Sequence, residues 1–141
     1  MGALLIPKIK IPRNGNKGEE DYEVFFSEET IERVSELYLQ NGNQSNSTLE
    51  HEKKLQDLTL VQTWLVEDSK IDKSALHGIN VPVGTWMGCM KVNNDDVWNN
   101  YVKTGKVKGF SIEGYFADKL EKPQELSETD RIINDLIDLL K

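Results

Sequence analysis

The chain has 141 residues, with 17 Lys and Arg against 24 Asp and Glu, giving a formal net charge of -7. That length suits a single domain, which buries roughly 70% of its unfolded surface and needs no disulfide or metal to hold a core. The acidic balance excludes a general nucleic-acid binder and a protein drawn to anionic membranes, since both need a basic face.

Leu4 to Ile11 is rich in apolar and β-branched residues but is interrupted by Pro7 and followed by Pro12. Proline cannot donate to a sheet ladder, so this segment reads as an edge strand or arm. Arg13 to Asp21 holds two glycines and two asparagines and reads as a loop, before a short strand over Tyr22 to Phe26. Ser27 is placed to cap a helix with Glu28 and Glu29 in its first turn. Ile31, Val34, Leu37 and Tyr38 then repeat at helical spacing through about Gln40.

Asn41 to Ser47 is a polar loop, and Thr48 to Lys54 surrounds His51. Leu58 to Val66 is nine residues of large or β-branched side chains, the pattern of a strand mostly buried on both faces. Glu67 to Ala75 reads as a polar connection with a turn or strand near Lys70 and Ile71. Val81 to Val92 reads as a strand that two glycines allow to bend. Asn93 or Asn94 caps a helix through Lys103, which Gly105 ends. Lys106 to Ala117 reads as a further strand. After a linker carrying Pro123, Ser127 and Asp130 open a last helix with a broad stripe of Ile132, Ile133, Leu136, Ile137, Leu139 and Leu140.

The expected fold class is therefore α+β, a small and mostly antiparallel β-barrel with peripheral helices. The irregular strand spacing does not suit a doubly wound parallel sheet. Residues 1–122 form the expected barrel domain, with 1–21 as arm and loop, and 123–141 form a linker and amphipathic helix. Trp64, Trp86 and Trp98 are expected in packed positions.

One cysteine, Cys89, leaves no intrachain disulfide, and two histidines with one cysteine cannot fill a structural zinc site of the usual His/Cys kind. No cofactor or metal is expected. Ala3 to Ile6 is too short for a signal or a membrane span, and Ile6 stands where a myristoylation signal has Ser or Thr. An intracellular soluble protein with no membrane or nucleic-acid partner is expected.

The segment most suggestive of chemistry is Gly109-Phe110-Ser111-Ile112-Glu113-Gly114. In an extended chain Ser111 and Glu113 share one face, and Phe110 and Ile112 the other. A serine needs a base to become a nucleophile. His51, between Glu50 and Glu52, is the natural candidate, because acidic neighbours favour and orient its charged form. Taken singly, each residue has an ordinary reading: a surface serine and a solvated histidine. His77, in Leu76-His77-Gly78, suits a loop, and Cys89 suits a buried inert thiol, with a Cys89–His77 hydrolase as a weaker option.

Taken in order, the pieces carry more. Leu49-Glu50-His51-Glu52, Trp64-Leu65-Val66-Glu67-Asp68, Val83-Gly84-Thr85-Trp86-Met87, Val97-Trp98 and Gly105 to Gly114 together resemble the XkdF-like phage serine proteases. These are similar to the prohead (head maturation) proteases of tailed phages and, in fold, to the herpesvirus capsid protease assemblin. The resemblance covers roughly residues 45–118. It implies a serine endopeptidase that cuts scaffold and capsid proteins, and itself, inside the prohead in the host cytoplasm. The apolar stripe of the last helix needs burial, so self-association or scaffold attachment through it is expected. The resemblance implies Ser111 as nucleophile and His51 as general base. Relatives place a third catalytic residue well downstream of the serine. Here Glu113 is the substitute, with Glu52 and Glu67 as alternatives. The rival reading is a non-enzymatic capsid-assembly or adaptor protein that keeps the fold.

Overall fold

The computed structural model describes residues 1–15, 20–49, 53–110 and 112. They form an α+β unit with seven short strands in three antiparallel sheets and three α-helices.

The central sheet has the order β1-β7-β6, with β1 at Gly2–Leu5, β6 at Leu58–Leu65 and β7 at Trp86–Val92. β7 lies in the middle and is the most deeply buried strand, with Trp86 and Met87 fully covered. The segment expected as one edge strand or arm over Leu4 to Ile11 divides: β1 ends at Leu5, ahead of Pro7, and lies at the edge of the sheet, while Ile11 opens a separate strand. β2 (Ile11–Arg13) pairs with β3 (Tyr22–Val24), and β4 (Ser47–Leu49) with β5 (Lys53–Leu55), as separate ribbons.

Helix α1 (Glu28–Gln40) begins where the sequence places it. Ser27 Oγ accepts the Thr30 backbone N–H at 3.2 Å, satisfying one of the donors left over at a helix start. Past its end, Gly42 takes a left-handed φ of 69° and donates to Leu39 O, a helix stop that glycine suits. Ile31 is fully buried, and Val34 and Tyr38 pack on the cluster of Leu4, Ile31, Leu60 and Trp86. The Tyr38 and Trp86 rings meet edge to face at 5.3 Å. Burial away from water raises the Tyr38 phenol above its ordinary pKa. The Trp86 indole N–H donates to Thr63 Oγ1, which itself donates to Met87 O at 2.8 Å. A smaller cluster of Leu55, Leu58 and Val97 lies at the other end of β6.

Several expectations need correction. Among the described residues no closed barrel forms, because β1 and β6 remain opposite edges of a three-stranded sheet. β6 is not buried on both faces. A register shift between Leu60 and Gln62 leaves Val61 bulged and 51% exposed. The expected strand over 81–92 begins only at Trp86, because Pro82 to Thr85 forms a turn with Gly84 at φ 81°. The polar connection after β6 contains a short helix, α2 (Lys73–Leu76), capped by Asp72.

The helix capped by Asn94 is α3 (Asp95–Val97), which runs into a π-helical turn over Trp98–Val102 before Gly105. Trp98 is 48% exposed rather than packed, and Cys89 is half-buried. Residues 106–110 and 112 form no strand. The rest of that expected strand, and the linker and helix of 123–141, lie outside the described residues. No helix among the described residues is long and apolar enough to cross a membrane.

Candidate active site

The three residues singled out for catalysis, His51, Ser111 and Glu113, lie outside the described residues, as does Glu52. What the fold establishes is the position of the chain on either side of them. Leu49 pairs with Lys53 in the β4–β5 ribbon, and in sequence His51 falls between these two strands. Ser47, at the start of β4, approaches Met90 of β7 through its hydroxyl, at 3.9 Å from the sulfur. Met90 packs against the main core cluster.

The flanks of Ser111 reach the same cluster. Phe110 and Ile112 both pack against Leu4, Ile31, Leu60 and Trp86. The Phe110 ring lies so close to Gly2 that a Cβ there would stand 3.2 Å from it. Phe110 and Ile112 thus share one apolar surface, although neither lies in a strand. The base of the β4–β5 ribbon lies on the smaller cluster through Leu55, the flanks of Ser111 lie on the main one, and Met90 borders both.

Glu67, an alternative third catalytic residue, is described. It follows β6, is exposed, and lines a groove along that strand. His77 caps the C-terminal end of α2 in an exposed turn, the loop role its sequence suggests.

Sequence reasoning missed one polar arrangement. Trp64 Nε1 donates to Asp72 Oδ1 at 3.0 Å and to Ser74 Oγ at 3.1 Å. Asp72 also accepts the Ser74 N–H at 2.9 Å and its hydroxyl at 2.8 Å. These bonds, led by the Ser74 N–H, hold the Asp72 carboxyl below its ordinary pKa. Lys73 Nζ lies 4.8 Å from the Trp64 ring centroid and donates to Gln62 Oε1. The available signal was Asp72 as N-cap, but four residues are too few to show a helical period. Ser74 is 1% exposed and its hydroxyl is committed to Asp72, so this pair holds α2 in place and offers no nucleophile. Among the described residues no group of three or more His, Cys, Asp or Glu side chains could hold a metal.

Comparison with known families decides the kinship. Residues 15–121 match the family model described as "Putative phage serine protease XkdF". The chain belongs to this family. No curated protein and no solved structure matches it.

Proposed function

We propose that this member of the XkdF family is a serine endopeptidase of phage head maturation, with Ser111 as nucleophile and His51 as general base. The observation that carries the reading is the family match, whose span of 15–121 encloses His51, Ser111 and Glu113. The anchoring of Phe110 and Ile112 on the core supports it, since a nucleophile gains from a rigid mount.

In this reading Ser111 Oγ attacks the scissile carbonyl carbon while His51 accepts its proton. The tetrahedral intermediate collapses, the C–N bond breaks, and His51 returns the proton to the leaving amine. Water then repeats the sequence on the acyl-enzyme, with His51 again as base. Glu113 orients the imidazole. The substrates are scaffold and capsid proteins and the chain itself, inside the prohead in the host cytoplasm.

The test is the intact mass of scaffold and protease after co-incubation, for wild type and for Ser111→Ala. Shortened scaffold with wild type alone is expected. Identical masses in both would leave a non-enzymatic assembly protein.

A further inference from the structure

We propose that the outer edge of β6, from Val61 to Leu65, binds an extended polypeptide segment as an added strand. Among the described strands β6 pairs with β7 alone, so its second edge faces away from the sheet. Val66 turns its N–H to Thr85 O and its C=O to the Gly84 N–H, both at 2.9 Å. Backbone groups alternate in direction along an antiparallel strand, so those of Thr63 and Leu65 point to the outer side.

The approach to this edge is already shaped. The first part of β6 is covered by the turn Asn43–Ser45, where Ser45 Oγ lies 3.0 Å from Thr59 Oγ1. Beyond the Val61 bulge a groove of about 670 Å³ follows the strand to Glu67, Asp72 and Lys73. Its α2 wall is braced by the bonds from Trp64 to Asp72 and Ser74, so the groove is held open rather than filled by its own side chains. Lys73, the charge best placed to block an edge, is turned onto Gln62 and the Trp64 ring.

These features define the occupant. Main-chain donors and acceptors at strand spacing are matched by an extended backbone, the mode known as strand addition. Val61, half exposed at one end of the groove, fits an apolar side chain. At the other end the carboxylates of Glu67 and Asp72 outweigh the cation of Lys73, and Asp72 spends its hydrogen bonds on Ser74 and Trp64, so exposed Glu67 is the group that favours a basic side chain. The occupant is a peptide with an apolar residue toward Val61 and Lys or Arg toward Glu67. The inference deepens the protease reading by assigning substrate main-chain recognition to β6. Binding needs no turnover, so it is measured on Ser111→Ala and its failure is distinct from failure of the catalytic reading.

The experiment uses the full Ser111→Ala chain and synthetic peptides of about ten residues, alternating valine and threonine and ending in lysine, glutamine or glutamate. Amide hydrogen exchange is expected to slow at Thr63 and Leu65 on adding the lysine peptide. N-methylation of alternate peptide amides on one edge is expected to abolish binding, and on the other edge to spare it. Affinity is expected to fall from lysine to glutamate by ~3-fold or more, a preference that Glu67→Gln removes. Val61→Lys is expected to weaken binding about tenfold with Ile71→Lys, exposed outside the groove, as an unaffected control. Absence of protection at Thr63 and Leu65 at millimolar peptide overturns the proposal. Strong protection of both amides before any peptide is added also overturns it, since the chain or a second copy would then already occupy the edge.

Discussion

Leu60 lies over Gly88 so closely that a Cβ at position 88 would stand 2.6 Å from its Cδ1 and 2.9 Å from Leu4 Cδ1. Leu60 is 6% and Leu4 8% exposed and both belong to the main core cluster, so an added methyl must be met by shifts of their side-chain ends within that cluster. The missing side chain on β7 is what lets β1 and β6 bring their leucines together over the central strand. Gly88→Ala is expected to destabilise the fold by ~1–3 kcal/mol through overpacking, read as a lower denaturant midpoint. Leu60→Val in the same chain is expected to recover part of that loss, because the smaller residue vacates the contested space. Strictly additive effects of the two substitutions would contradict the close approach.

Thr85 presents the opposite case. Its side chain is fully buried and its hydroxyl oxygen has no hydrogen-bond partner among the described residues. A buried, unpaired hydroxyl costs ~1–3 kcal/mol, and valine has the same shape without that cost. Thr85→Val is expected to stabilise by about 1 kcal/mol in equilibrium unfolding. Thr63→Val, on β6, is expected to destabilise by ~1–3 kcal/mol, since it strips the Trp86 indole of its acceptor. The two changes are chemically identical, so their opposite signs test the hydrogen-bond assignments directly.

Asp72 couples the α2 wall to pH. Its folded carboxyl has a pKa lowered from the ordinary 3.8, chiefly by the Ser74 backbone N–H. The unfolded chain therefore binds its proton at higher pH than the folded chain does. The stabilisation is fully present above the unfolded value near 4 and is lost as pH falls through the lowered folded value. Asp72→Asn is expected to destabilise at neutral pH, with the gap to wild type narrowing in acid. Trp64 fluorescence is expected to shift with it, since its N–H loses a charged acceptor. A gap that stayed constant from neutral pH down through acid would contradict this sign.

What the sequence made legible was local. The Ser27 cap, the α1 stripe of Ile31, Val34 and Tyr38 and the Gly105 stop each depend on residues within a turn or two and stand where the pattern puts them, while Leu37 of the expected stripe is exposed. The errors concern partners distant in the chain. Leu58 to Val66 looks like a central strand because its residues are apolar, yet which strand lies inside a sheet is decided by pairing, and β7 takes that place. Helix α2 is too short to carry a period, and its stability rests on Asp72 and Trp64 rather than on propensity. At the candidate site the family was legible, because the ordered motif spans much of the chain. The geometry that would join His51 to Ser111 depends on long-range folding, which no spacing encodes.

The choice between the two histidines gives a last test. If His51 is the base, cleavage requires its neutral form, and the rate is expected to rise with pH through a value near the ordinary histidine pKa of ~6.5. His51→Ala is expected to lower the rate ~10⁴-fold or more while leaving the unfolding midpoint near wild type. His77 sits exposed at the end of α2, so His77→Gln is expected to change neither the rate nor its pH profile. Loss of cleavage in His77→Gln with activity kept in His51→Ala would move the base to the other histidine and bring the half-buried Cys89 forward as its nucleophile. Mass labelling of Cys89 in the folded chain would then separate that chemistry from a Ser111 mechanism, because a modified thiol would block cleavage only in the first case.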